Sequence, residues 1–142
     1  MSKSPEPPRW QYRLDNFTRA LALLREAVDT AAARPLTQLE KEGAVRRFEY
    51  SLELAWKTLK DYLQSEKVKI EPVTPKEVVR QAFTAGIIDD ATVWMDALDA
   101  RNEMAHNYDE AEFATTLAGV ENRYLAALTA AHNYLTDKAA QK

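Results

Sequence analysis

Cysteine is absent, and glycine occurs only three times and proline six times in 142 residues. Without cysteine there is no disulfide, no thiolate-held zinc, no iron–sulfur cluster and no thiol nucleophile. So few turn-formers leave little room for the many hairpins of an all-β sandwich or barrel. Long helices need few breaks, so the composition favours an all-α chain. No apolar run approaches the length that spans a bilayer, and Met1 to Trp10 has no apolar signal core. Excess positive charge is lacking too: 19 Lys and Arg face 22 Asp and Glu, a formal net charge of −3. A broad basic surface that grips nucleic acid by charge alone is therefore not indicated, which leaves room only for a local patch. Together these absences set the expectation of a cytoplasmic protein with no membrane association.

What is present is enough to fold. Hydrophobic residues make up 46% of the chain and charged residues 29%, far from the balance of a disordered polyelectrolyte. Residues 1–8 hold three prolines and read as a disordered lead, and residues 9–138 read as one helical domain. Leu14, Phe17, Leu21, Leu24, Val28 and Ala31 recur in steps of three and four, which keeps one stripe on one helix face. Arg34-Pro35 ends that helix. A second helix is expected from Thr37 to Lys67, with Val45, Phe48, Leu52, Ala55, Leu59 and Tyr62 as its stripe. Thr74-Pro75-Lys76-Glu77 reads as a helix start with a capping box, and Gly86 as its left-handed stop. Asp89 or Asp90 caps a fourth helix to about Ala105, Asn107-Tyr108-Asp109 interrupts or loosens it, and a last helix runs from about Glu110 to Asp137. The expected architecture is an antiparallel up-and-down helical bundle with one additional short helix.

Chemistry concentrates in the fourth helix. Trp94, Ala97, Leu98, Arg101, Met104, Ala105 and Tyr108 fall on one stripe of a continuous helix, with a guanidinium in its middle. Arg101 cannot shed its charge, so it needs an anion or strong acceptors. Asp96 and Glu49 are candidate partners, and an Arg that reaches out to solvent is the plain structural alternative. His106 lies five residues on, about 140° around the helix, so it faces with Asp99 and Asn102 instead. The two groups can converge if the helix unwinds near Asn107 or if two chains pair across a two-fold axis. His132 has no acid or Arg in its local motif and reads as structural.

The run from Arg101 to Asp109 resembles the Arg-x4-His-x-Tyr signature of HEPN-domain proteins. Phe48 to Leu63 and Pro75 to Asp89 resemble one HEPN branch, the nucleotidyltransferase substrate-binding proteins or HepT-type toxins. The resemblance covers about Leu14 to Leu135 and omits the N-terminal lead. It implies an all-α bundle that forms a homodimer through its motif helices, and a neighbouring gene for a minimal nucleotidyltransferase. Two functions compete within that branch. One is a ribonuclease toxin, silenced when the nucleotidyltransferase antitoxin adenylylates the motif tyrosine, here Tyr108. The other is a non-catalytic subunit that presents substrate to the nucleotidyltransferase.

For a ribonuclease, His106 has the right proton affinity to move a proton near neutral pH, and Arg101 can stabilise a charged phosphorane. Asn102 can position the His or the phosphate. Asp96 matches an acidic position of the family pattern and is placed to orient Arg101 across a dimer. No His and carboxylate cluster has metal-ligand spacing, so the implied reaction is metal-independent and no cofactor is expected. The acidic balance favours the binding subunit, although Arg46, Arg47, Lys57, Lys60, Lys76 and Arg80 offer a local patch for an RNA substrate. A third possibility is a helical dimer in which Arg101 serves only as an interface ion-pair residue.

Overall fold

The computed structural model describes residues 7–106 and 109–141, with His106 placed by its backbone alone. Six α-helices account for nearly all of them: α1 (Arg9–Ala33), α2 (Gln38–Ser65), α3 (Pro75–Thr84), α4 (Ala91–His106), α5 (Glu110–Gly119) and α6 (Leu125–Ala140). No strand occurs among the described residues. The expected all-α class is what the chain adopts. The disordered lead expected at the N-terminus falls mostly on residues 1–6, outside the described residues.

The helices begin and end where local chemistry says they should. Thr37 caps α2 with a full capping box: its side chain accepts from Glu40 N–H at 3.1 Å, and the Glu40 carboxylate accepts from Thr37 N–H at 2.9 Å. Thr74 caps α3 by accepting from Glu77 N–H at 3.2 Å. The reciprocal half of that box, expected from the sequence, does not form. The Glu77 carboxylate instead accepts from Arg80 and Gln81 within its own helix. Gly86 takes φ +79°, so the left-handed stop falls where a residue with a Cβ would be strained. Asp90 rather than Asp89 caps α4, accepting from Val93 N–H at 3.3 Å.

The long last helix expected from the sequence forms, and a π-turn widens it midway without ending it. Between α5 and α6 the backbone makes a π-turn over Val120–Tyr124. Its cause lies in Gly119 and Tyr124. The tyrosine ring stacks on Phe48 of α2, with centroids 5.5 Å apart and planes 20° apart. To do so it lies across Gly119, where an added Cβ would sit 2.6 Å from the ring. The absent side chain and the aromatic stack together make room for the wider turn.

The core follows the predicted stripes. Leu14, Phe17, Leu21 and Leu24 of α1 meet Phe48, Leu52, Ala55 and Leu59 of α2, all buried. Val78, Val79 and Ala82 of α3, Trp94, Ala97 and Leu98 of α4, and Leu128, Ala131 and Leu135 of α6 close around them. The connector 34–37 is short, so α1 and α2 run antiparallel. A second, smaller cluster forms where α4 ends: Val45, Met104 and Phe113, with Leu117 against it.

Candidate functional site

Arg101 sits on α4 between buried Leu98 and buried Met104, with a quarter of its side chain exposed. Its stripe is apolar as expected at Trp94, Ala97, Leu98 and Met104, whereas Ala105 is exposed. A cation in that position needs an anion, and α2 supplies it: Arg101 Nη1 donates to the Glu53 carboxylate. Neither Asp96 nor Glu49 fills that role. Glu53 also accepts from Trp56 Nε1 at 3.2 Å and pairs with Lys57 Nζ at 2.9 Å. Burial pushes the Glu53 carboxyl upward, but Lys57, Trp56 and Arg101 together bring it below the ordinary value. It is therefore a carboxylate at neutral pH, holding two cations.

Sequence reasoning missed Glu53 by one helical turn. Glu49 and Glu53 lie four residues apart on one edge of α2, so periodicity cannot tell them apart. The axial offset of α2 against α4 decides between them, and no local pattern encodes it.

Asp96 faces a different partner. Arg123, carried by the π-turn, donates to its carboxylate at 2.8 Å, and the guanidinium lies 5.7 Å from the Tyr124 ring centre. The pair pulls α4 toward the wide turn. Within one chain it does not bring Asp96 to Arg101.

Asn102 is exposed and lines a groove of about 340 Å³ with Thr74, Pro75, Lys76, Leu98 and Arg101. Helix register places position 106 one turn beyond Asn102, on the Asp99–Asn102 face. The His106 side chain, Asn107 and the candidate acceptor Tyr108 lie outside the described residues. Asp109 follows as the cap of α5, accepting from Ala111 N–H at 2.9 Å. On the other side of the α4 terminus, a groove of about 540 Å³ is lined by Leu39, Val45, Arg46, Met104 and Phe113 among others.

The suspected basic patch is largely neutralised. Arg47 pairs with Glu26, Lys57 with Glu53, Lys60 with Asp61, Lys76 with Asp99 and Arg80 with Glu77. Among the described residues, no group of three His, Asp or Glu side chains is placed to hold a metal ion. None of the described helices is long and apolar enough to cross a membrane.

His132 lies far from this region along the α1–α6 seam. Its Nε2 is 2.7 Å from Thr18 Oγ1, and its ring meets Phe17 edge-on at 5.4 Å. The structural role expected for it is the one its contacts describe.

A Haemophilus influenzae protein named "Probable ribonuclease HepT" is 29% identical over 83 residues, which cover 56% of this chain and 57% of that relative. The match thus spans little more than half the length of the curated relative. Two solved structures share the fold. A Thermus thermophilus protein, ttk003001694, superposes with a TM-score of 0.67 at 25% identity, over 88% of this chain and 99% of the other. HI0074 of Haemophilus influenzae, described as a substrate binding domain of a nucleotidyltransferase, gives 0.77 at 23% identity, over 87% and 98%. The sequence profile described as "Nucleotidyltransferase substrate binding protein like" matches residues 12–137, from the second turn of α1 to near the end of α6. The chain therefore belongs to the nucleotidyltransferase substrate-binding-protein-like family, the branch that its motif runs resemble.

Proposed function

We propose that this chain is a HEPN-type toxin, a metal-independent endoribonuclease that acts as a homodimer and is silenced by a minimal nucleotidyltransferase antitoxin. The observation that carries the reading is Arg101, a permanent cation set into a buried stripe and held by a carboxylate from another helix. An arginine fixed in this way is oriented before substrate arrives, and orientation is what electrostatic catalysis requires. The resemblance of the chain to a relative named as a ribonuclease supports it.

In this reading RNA is cut by its own 2′-hydroxyl. His106 takes the hydroxyl proton as the oxygen attacks the neighbouring phosphorus, and Arg101 stabilises the charge that builds on the phosphorane oxygens. The bond to the 5′-oxygen then breaks, and that oxygen gains a proton from the imidazolium. The products are a cyclic phosphate and a 5′-hydroxyl. Asn102 positions the phosphate, and Asp96 of one protomer orients the Arg101 guanidinium of its partner. Adenylylation of Tyr108 sets a phosphate and a nucleoside in the same cleft, where they compete with RNA for Arg101.

The second reading is a non-catalytic subunit that presents substrate to a nucleotidyltransferase. The family description and the neutralised surface cations favour it. Induced expression separates the two. The toxin reading expects growth arrest by the wild type and growth with Arg101→Ala or His106→Ala. It also expects purified protein to cleave RNA in the presence of chelator, with each substitution removing cleavage while leaving the helical circular dichroism intact. With ATP, magnesium and the partner nucleotidyltransferase, mass spectrometry is expected to find AMP on Tyr108 together with loss of cleavage. A wild type that never cleaves RNA hands the function to the second reading.

A further inference from the structure

We infer that the groove between the start of α3 and the Leu98–Asn102 stretch of α4 is a second phosphate subsite, with Lys76 as its phosphate-binding side chain. The ligand is the phosphodiester of a single-stranded RNA that neighbours the one at Arg101, and in naming RNA the inference rests on the ribonuclease reading above.

The groove has the chemistry for it. Its lining is Thr74, Pro75, Lys76, Leu98, Arg101 and Asn102: two cations, a hydroxyl and an amide, with the carboxylates that pair the cations, Glu53 and Asp99, outside the lining. The other groove beside the α4 terminus has Glu42 and Glu49 in its wall and is the poorer place for an anion. Arg101 forms one side, so a strand whose reacting phosphate lies at Arg101 continues directly into this groove. Thr74 Oγ1 accepts from Glu77 N–H at 3.2 Å, which leaves its own hydrogen to donate. Asn102 is exposed on the same side and offers two further donors.

Lys76 differs from Lys57 and Lys60 in what holds it. Lys57 is committed to the Glu53 carboxylate that also holds Arg101, and Lys60 lies against Asp61, whose side chain is 6% exposed. Lys76 Nζ meets Asp99 at 2.9 Å, with side chains 46% and 60% exposed. A pair so open to water is weak and easily exchanged. Asp99 is not part of the groove lining, so the ammonium can turn from the carboxylate to a phosphate without dragging an anion into the site. The carboxylate therefore competes with RNA for the lysine.

That competition gives opposite signs to two substitutions that break the same ion pair. The experiment uses a short, fluorescein-labelled, 2′-O-methyl RNA, which cannot be cleaved, and reads its anisotropy with the full chain between about 50 and about 200 mM salt. Lys76→Ala is expected to weaken binding about fivefold at about 0.1 M salt and to lower the salt slope by about 0.7, one phosphate's worth. Lys76→Arg is expected to retain binding. Asp99→Asn is expected to tighten it, by up to about fivefold, the full worth of an exposed ion pair. A bridge that merely ties α3 to α4 is lost equally in Lys76→Ala and Asp99→Asn. If both weaken binding, or neither changes it, the subsite is wrong, and so it is if the wild type binds no RNA. If this pattern appears but the wild type fails to cleave the matching 2′-hydroxyl RNA, the subsite stands and the nuclease reading falls.

Discussion

His132 shows how a residue outside the site is tuned by its surroundings. It lies half-buried between α1 and α6, facing Phe17, Thr18 and Arg25 from α1 and Asn133 from its own helix. Thr18 Oγ1 gives its hydrogen to the Leu14 carbonyl, so it accepts from the imidazole Nε2–H. Burial pulls the His132 pKa below its ordinary value of 6.5; Asn133 pushes the other way, and the Arg25 charge adds to the lowering. The unfolded chain thus takes up a proton at a pH where the folded chain resists it. Stability is fully present above about 6.5 and is lost as pH falls through the lowered value. The urea midpoint is expected to drop between about pH 7.5 and about pH 5.5, and His132→Gln is expected to remove that residue's share. Carboxylates such as Glu53 contribute only below this window, because their folded-state pKa lies under the ordinary carboxylate value.

Among the elements, the π-turn carries a prediction that separates two glycines. Gly119→Ala drives a methyl into the Tyr124 ring, and the ring cannot yield without losing its stack on Phe48. The expected cost is about 1–3 kcal/mol, typical of overpacking. Gly43, inside α2, has nothing within 4 Å of an added Cβ. Gly43→Ala is expected to stabilise by about 0.5–1 kcal/mol through helix propensity alone. Chemical denaturation of both variants checks the opposite signs. The same contrast marks what a sequence reveals of elements. The stripes of α1 and α2, the Thr74 start and the Gly86 stop were legible, because spacing and capping are local. The last helix was legible for the same reason, but the π-turn inside it after Gly119 was not, because the apolar stripe from Phe113 to Leu135 continues across it. The turn goes with the stack of Tyr124 on Phe48 of α2, a contact between residues far apart in the chain. Glu53 escaped for the same reason: its partner is chosen by how two helices slide on each other.

For the whole molecule, the proposed homodimer is the assembly that lets the Arg101 and His106 faces of α4 meet. In one chain these two positions point about 140° apart on a regular helix. The expected outcome is a dimer by analytical ultracentrifugation, with cross-links between copies concentrated in residues 94–108. A monomer, or a dimer with those segments on opposite outer surfaces, removes the basis for a shared site.

The separate small core at the end of α4 has a consequence for amide exchange. Among the described residues, Val45, Met104 and Phe113 pack with Leu117 in a cluster separate from the main core, so the motif end of α4 and the start of α5 rest on a smaller apolar cluster than α2 does. The middle of α2, where Phe48, Leu52, Ala55 and Leu59 are fully buried, opens only when everything opens. In deuterated buffer the amides near Met104 and Phe113 are therefore expected to exchange by a local event of lower free energy than those of α2. Local opening of this kind offers the end of the motif helix to the proposed nucleotidyltransferase while the rest stays folded.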